Sequence, residues 1–172
     1  MGGGCLMRFL INNFMNAHDA EKLMSFFDKN DHLCFDERPQ HKERNIHYDH
    51  IPDSATKQFL DYYEQKNIFF IDHYFKTKTK PWHEPRLCRW KKGHSMGLHV
   101  DKNNNLQDLM DYSSLVYLND SYDGGELFFE NEIFKMKALS CIIFESGPHN
   151  KHGVKTITKG KRYTIPSWYQ KI

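Results

Sequence analysis

Residues 139–169 read LSCIIFESGPHNKHGVKTITKGKRYTIPSWY, and how they divide decides the fold. Residues 139–144, 154–158 and 162–169 are short and rich in Ile, Val, Thr and aromatics, the composition of strands. Ser146-Gly147-Pro148 and Lys159-Gly160-Lys161 stand between them as turn signals. The same texture runs upstream to about Glu84, where 86–90, 114–118 and 126–129 have strand composition too. Lys92-Gly93, Asn103-Asn104-Asn105 and Asp123-Gly124-Gly125 punctuate that part. Short strands at this spacing predict an antiparallel sandwich or barrel.

Before residue 84 the pattern is helical. Residues 7–14 are a short apolar run that could form a strand. Asn16 then stands as an N-cap with Asp19 three residues on, followed by Ala20, Leu23, Met24 and Phe27 on one helical stripe. A second helix opens at Asp53 and buries Phe59, Leu60 and Tyr63; periodicity leaves open whether 68–75 continues it or turns into a strand. Residues 30–52, polar and broken by Pro39, are expected to be a long surface loop. Helices followed by antiparallel strands make the fold class α+β. The chain is expected to be one domain over 1–172, helical over about 1–83 with a β-barrel core over about 84–170.

At 172 residues the chain can bury roughly two-thirds of its unfolded surface and needs no cross-link merely to fold. Apolar residues at 39% and aromatics at 15% exclude a disordered chain. A formal charge of +2 argues against a general nucleic-acid binder, whose basic excess would be larger. No run is long enough to span a bilayer. The Met-Gly-Gly-Gly-Cys-Leu start is not a secretory signal, and Leu6 stands where a myristoylation site needs Ser or Thr. Cys5, Cys34, Cys88 and Cys141 form no C-x-x-C pair, so reduced thiols are expected. These features predict a soluble, cytoplasmic monomer without membrane contact. Lys76, Lys78 and Lys80 alternate and would share one face of an extended segment; with Lys91-Lys92 they read as solvated surface.

Eleven histidines raise the question of a metal site. His-x-Asp on extended backbone puts two ligands on one face. It occurs at His47-Tyr48-Asp49 and at His99-Val100-Asp101, and chance alone supplies about one copy. His47 lies in the expected loop. His99 instead stands between strands, with His152 placed 53 residues later at the last turn. Two His and one carboxylate on a small barrel make the facial triad of non-haem Fe(II) oxygenases, which leaves coordination positions open. His149 competes with His152 for this role. If 159–161 is a three-residue hairpin loop, Arg162 pairs with Thr158, and His152 and Arg162 face one interior ~20 Å apart.

His99-x-Asp101, Tyr117-Leu118-Asn119, Gly124-Gly125-Glu126-Leu127, His152-Gly153-Val154, Arg162 ten residues on, and the tail at 162–169 give residues 84–170 their character. That order resembles the 2-oxoglutarate/Fe(II)-dependent oxygenase superfamily, and within it the prolyl 4-hydroxylase-like group. The resemblance implies a double-stranded β-helix, a jelly-roll or cupin-like barrel flanked by N-terminal helices. It implies that His99, Asp101 and His152 bind Fe(II) and are catalytic, that Arg162 binds the distal carboxylate of 2-oxoglutarate with help from Tyr117, and that Trp168 lines the pocket. Trp90 and Met96 stand where the group has tyrosines, Trp90 also being assigned to the cosubstrate. The implied reaction is a dioxygenase hydroxylation of prolyl residues in a protein or peptide, using O2 and ascorbate as reductant and releasing succinate and CO2. A free amino acid or nucleic acid as substrate remains open. So does a cupin-like barrel that binds metal without turnover. Arg162 is the last arginine of the chain, whereas nucleic-acid demethylases of this superfamily carry a further one downstream.

Overall fold

The computed structural model describes residues 7–34, 43–102 and 109–172. The start at 1–6 with Cys5, the stretch around Pro39 and the asparagine turn at 103–105 lie outside the described residues.

The apolar run at 7–14 contains strand β1, Arg8–Ile11. Helix α1, Ala17–Lys29, follows, and the Asn16 side chain accepts from the Asp19 N–H at 2.8 Å, as the capping pattern predicts. Its stripe of Ala20, Leu23 and Phe27 is buried. Strand β2, Arg44–His47, precedes helix α2, Ser54–Phe75. Asp53 caps α2 by accepting from the Thr56 N–H. Residues 68–75 continue this helix, because no Gly or Pro interrupts it and Ile71 repeats the stripe of Leu60 and Tyr63. The helix stops at Lys76, which takes a left-handed φ of 52°. The Tyr63 hydroxyl donates to Asp19 Oδ2 at 2.6 Å and joins the two helices.

Ten strands are β3 Thr79–Pro81, β4 Arg86–Lys91, β5 Met96–His99, β6 Tyr112–Tyr117, β7 Tyr122–Gly124, β8 Leu127–Phe129, β9 Ile133–Phe134, β10 Ser140–Glu145, β11 His152–Val154 and β12 Ile157–Lys171. They build two antiparallel sheets with the first two. The larger runs β1-β10-β6-β12-β4-β2, with β3 and β7 also on β12; the smaller runs β5-β11-β8-β9. Alternation along each strand divides the side chains between two faces. On β12, Tyr163, Ile165 and Tyr169 join the helices in the main core, with Val116 of β6 and Ile143 of β10. The alternate positions, among them Tyr117, Ile142 and Phe144, face the smaller sheet and pack with Leu127 and Phe129. Burying a Leu or Ile of this kind contributes about 1.5–3 kcal/mol. The helices therefore shield one face of the large sheet and leave the other to form the barrel interior.

Three expectations need correction. Residues 30–52 are not all loop: β2 pairs with β4, Ile46 opposite Leu87. Ile46 is its one strongly apolar residue, so tertiary pairing rather than composition makes the strand. Lys159-Gly160-Lys161 is not a hairpin. β12 runs through it, pairing with β7 up to Gly160 and with β4 from Lys161. Gly160 has a φ of 77° and a Cβ there would lie 2.8 Å from the Ser121 carbonyl oxygen, so the turn signal bends the strand instead of reversing it. Arg162 accordingly pairs with Trp90, not Thr158. The N-terminal part, besides its helices, also contributes β1, β2 and β3 to the large sheet.

On α2, burial pushes the Glu64 carboxyl up to about 7, with the Asp61 and Glu84 carboxylates adding to the effect. The folded pKa lies above the unfolded one, so the native state binds the proton more tightly. The stability this supplies is full below about pH 4.3 and is lost as pH rises through about 7. Glu64→Gln should therefore melt a few °C higher than wild type at pH 8 and at the same temperature near pH 4, as measured by circular dichroism.

Candidate metal and cosubstrate site

Between the two sheets lies a cavity of about 600 Å3, lined among others by Cys88, Trp90, Arg162 and Thr164 from the large sheet and His99 and Val154 from the small one. At one end His99, the last residue of β5, stands directly opposite His152, the first residue of β11. Their ring centroids are 4.4 Å apart. Asp101 lies two residues beyond His99, just past the strand end, and its carboxylate turns back between them. Oδ1 is 3.4 Å from His99 Nε2 and Oδ2 is 3.7 Å from His152 Nε2. One ligand atom from each residue falls within 4.8 Å of the other two, and among the described residues this is the only such group.

Each of the three is held by a partner outside the cluster. His99 Nδ1 is 3.1 Å from the Gly97 carbonyl and His152 Nδ1 is 3.0 Å from the Asn150 carbonyl. A carbonyl only accepts, so Nδ1 carries the proton on each ring and Nε2 presents its lone pair to the centre. Ser113 Oγ, on β6, donates to Asp101 Oδ2 at 2.6 Å and is itself 2.7 Å from Ser146 Oγ. Burial acts to raise the Asp101 carboxyl, but His152, His99 and Ser113 outweigh it and hold the pKa far below the usual range. Burial keeps His152 below its ordinary value, against the pull of Asp101. Burial also lowers His99, but Asp101 outweighs it and the net shift is upward. A permanently ionised carboxylate beside two imidazoles suits a divalent cation.

Deeper in the cavity Arg162 is 1% exposed. Its Nη2 donates to the Tyr117 hydroxyl at 2.8 Å, and its Cζ lies 4.8 Å from the Tyr117 ring centroid and 5.4 Å from that of Trp90. Nε and Nη1 are buried with no hydrogen-bond partner. A buried guanidinium in that state is costly, and its planar fork matches a carboxylate. The residues present thus suit a carboxylate at Arg162, in the same cavity as the His–Asp cluster.

Trp168 lines the cavity nearer its mouth; it is the cross-strand partner of Ser113, and the Arg86 guanidinium lies over its ring at 4.7 Å. Met96 also lines the wall. His149 sits exposed in the turn Pro148–Asn150 and does not join the cluster. His47 ends β2 and touches the cavity, but Asp49 falls in the next turn, and among the described residues the pair joins no metal-binding group. Lys76, Lys78, Lys80, Lys91 and Lys92 do not line the cavity. Sequence reasoning missed Ser113, Ser146 and Asn150. Ser113 shares the parity of Tyr117 on one strand, which was a usable signal; the other two lie in turns and carried none.

The structure is similar to a Pseudomonas putida prolyl-4-hydroxylase at a TM-score of 0.76 and 18% identity, covering 97% of this chain and 94% of that one. Against the viral collagen prolyl hydroxylase of Paramecium Bursaria Chlorella virus-1, solved with 2OG, the TM-score is 0.75 at 15% identity, covering 96% of each. A Trichoplax adhaerens prolyl hydroxylase in complex with a hypoxia inducible factor peptide fragment gives 0.77 at 18%, covering 95% of this chain and 83% of that one. Identities this low establish likeness of fold, a jelly-roll. Among curated proteins, human prolyl 3-hydroxylase 2 is 42% identical over 66 residues, and human prolyl 3-hydroxylase 3 is 39% identical over the same length. Those matches take in 34% of this chain but only 9% of either relative. The model of the 2OG-Fe(II) oxygenase superfamily matches residues 85–170, half of the chain, and to that superfamily the chain belongs.

Proposed function

We propose that the chain is one Fe(II)- and 2-oxoglutarate-dependent dioxygenase domain that hydroxylates prolyl residues of a protein or peptide, with release of succinate and CO2. One observation carries the reading: the buried, partly unsatisfied Arg162 guanidinium shares a cavity with the His99–Asp101–His152 cluster. Bound together, Fe(II), 2-oxoglutarate and O2 supply the oxidant that places one oxygen atom on a substrate carbon. His99 and His152 offer Nε2 to the metal, and Asp101 contributes the charge that keeps a divalent ion in place against water. Arg162 would hold the distal carboxylate through its buried, unpartnered N–H groups, with Tyr117 beside it. Trp90 closes the wall beside it and can donate but not accept.

For the substrate, Trp82 and Trp168 both line the cavity, and the Trp82 backbone N–H donates to the Trp168 carbonyl at 2.9 Å. Flat aromatic faces there suit a prolyl ring. The peptide held by the Trichoplax relative supports a polypeptide over a nucleic acid. The sequence pattern favours oxidation at C4 of the ring; the 42% identity to a prolyl 3-hydroxylase over 66 residues favours C3. No helix among the described residues is long and apolar enough to cross a membrane. We further infer a cytoplasmic, monomeric enzyme; the thiols of Cys34, Cys88 and Cys141, none of them in a disulfide, are in keeping with that compartment.

Incubating Pro-containing peptides with Fe(II), ascorbate and 2-oxoglutarate should yield a product one oxygen heavier on proline. Fragmentation and hydrolysate chromatography separate 3- from 4-hydroxyproline, and turnover confined to free amino acids or methylated nucleic acid would overturn the substrate reading. Asp101→Ala should abolish both metal binding and turnover, whereas Asp49→Ala should leave them near wild type. Isothermal titration with Mn(II) checks the pair. Removing one partner of a buried ion pair costs ~3–5 kcal/mol. Arg162→Ala should therefore weaken 2-oxoglutarate by roughly a hundred- to several-thousand-fold. Metal affinity should be retained, and Arg162→Lys should keep part of the cosubstrate affinity. Anaerobic calorimetry on the Mn(II)-loaded variants reads both.

A further inference from the structure

Arg8 lies outside the segment matched to the superfamily, on the first strand, yet its side chain is only 8% exposed. It stands opposite Phe144 on β10 and points into the barrel. Its Nε donates to Asn150 Oδ1 at 2.8 Å, its Nη1 pairs with Glu132, and its Cζ lies 3.8 Å from the Phe129 ring centroid. One guanidinium thus ties the edge of the large sheet to the smaller sheet and to the turn before β11.

Asn150 is the link that gives this contact a role at the site. Its Nδ2 donates to the Glu145 carbonyl at 3.0 Å, and its own carbonyl takes the Nδ1 proton of His152. Arg Nε only donates and the Glu145 carbonyl only accepts, so the two fix which end of the amide faces which way. With the side chain locked, the turn Pro148–Asn150 and its terminal carbonyl are locked as well. That carbonyl decides the tautomer of His152 and aims its Nε2. Phe129 and Phe144, packed at 5.8 and 4.9 Å from the His152 ring centroid, hold the ring from its sides.

We propose that Arg8 is a positioning residue for the metal centre, acting through Asn150 to present His152 Nε2. The inference rests on the reading of His152 as a metal ligand. Direct hydrogen-bond partners of a metal ligand typically change metal affinity 10- to 100-fold when lost, and Arg8, one bond further out, should act at the lower end of that range.

Two substitutions isolate the hydrogen bond. In Arg8→Gln the side-chain amide nitrogen occupies the place of Nε, so the donor to Asn150 survives while the charge is lost. Arg8→Met has similar length and no donor. Both lose the Glu132 pair and the stacking on Phe129, and thermal melts of the two record that common effect. Titration with Co(II), followed by its visible absorption, should show Arg8→Met up to about 10-fold weaker than wild type with an altered band pattern. Arg8→Gln should bind close to wild type. Equal affinities in wild type and Arg8→Met, or equal losses in both variants, would overturn the inference while leaving the metal reading standing. Failure of the wild type to bind Co(II) would instead bring down the metal reading, and this inference with it. Should Arg8→Met not fold, Asn150→Ala, which leaves Arg8 its contacts with Glu132 and Phe129 but removes its link to the turn, takes its place: weaker Co(II) binding than wild type supports the role, and wild-type affinity refutes it.

Discussion

The opposition of His99 and His152 across β5 and β11 is the constraint on which the site depends. In antiparallel pairing a one-residue slip sends every side chain to the other face, so either imidazole would leave the cavity. The register is secured sterically. A Cβ on Gly153 would lie 2.6 Å from the Met96 carbonyl oxygen and from the Phe128 ring, so only glycine lets the strands approach this closely. Asp101 adds a carboxylate between two rings already facing each other, and Ser113 sets its angle from the opposite sheet.

The large sheet works through its two faces. The helix-side residues of β6, β10 and β12 carry most of the apolar burial, while the alternate residues of the same strands carry Arg162, Tyr117 and Ser113. Stability and chemistry are thereby kept on opposite sides of one backbone. The barrel side can hold an unsatisfied guanidinium and a buried carboxylate because the helix side supplies the packing that offsets them.

Much of this was legible in the residues. Asn16 and Asp53 announce their helices because a capping side chain acts within its own turn. β4, β6, β10 and β12 show in their composition because they are long enough to alternate, whereas the strand expected at 154–158 is split between the ends of β11 and β12. β2 did not show, since a four-residue edge strand with one strongly apolar side chain is made by its neighbour β4. β5 was hidden by Gly97 and by the exposure of Leu98. Gly160 was recognised as a special backbone position, but whether such a residue bends or reverses a strand depends on what lies on either side, here β7 and β4. His99, Asp101 and His152 can be named from pattern and resemblance; that His99 meets His152 across a ladder, and that Ser113 and Asn150 brace the cluster, belongs to tertiary register.

The position of β12 also governs how the protein can be made. It hydrogen-bonds to β3, β4, β6 and β7, all of which precede it in the chain. β1 waits for β10, some 130 residues downstream. During synthesis the helices can form early, but the large sheet has no centre until β12 has left the ribosome. Folding dominated by such distant pairings is slow, and unpaired strand edges meanwhile invite association with other chains. Until β12 emerges, this part of the nascent chain is therefore two helices and a set of unclosed strands, the interval in which a chaperone has most to protect.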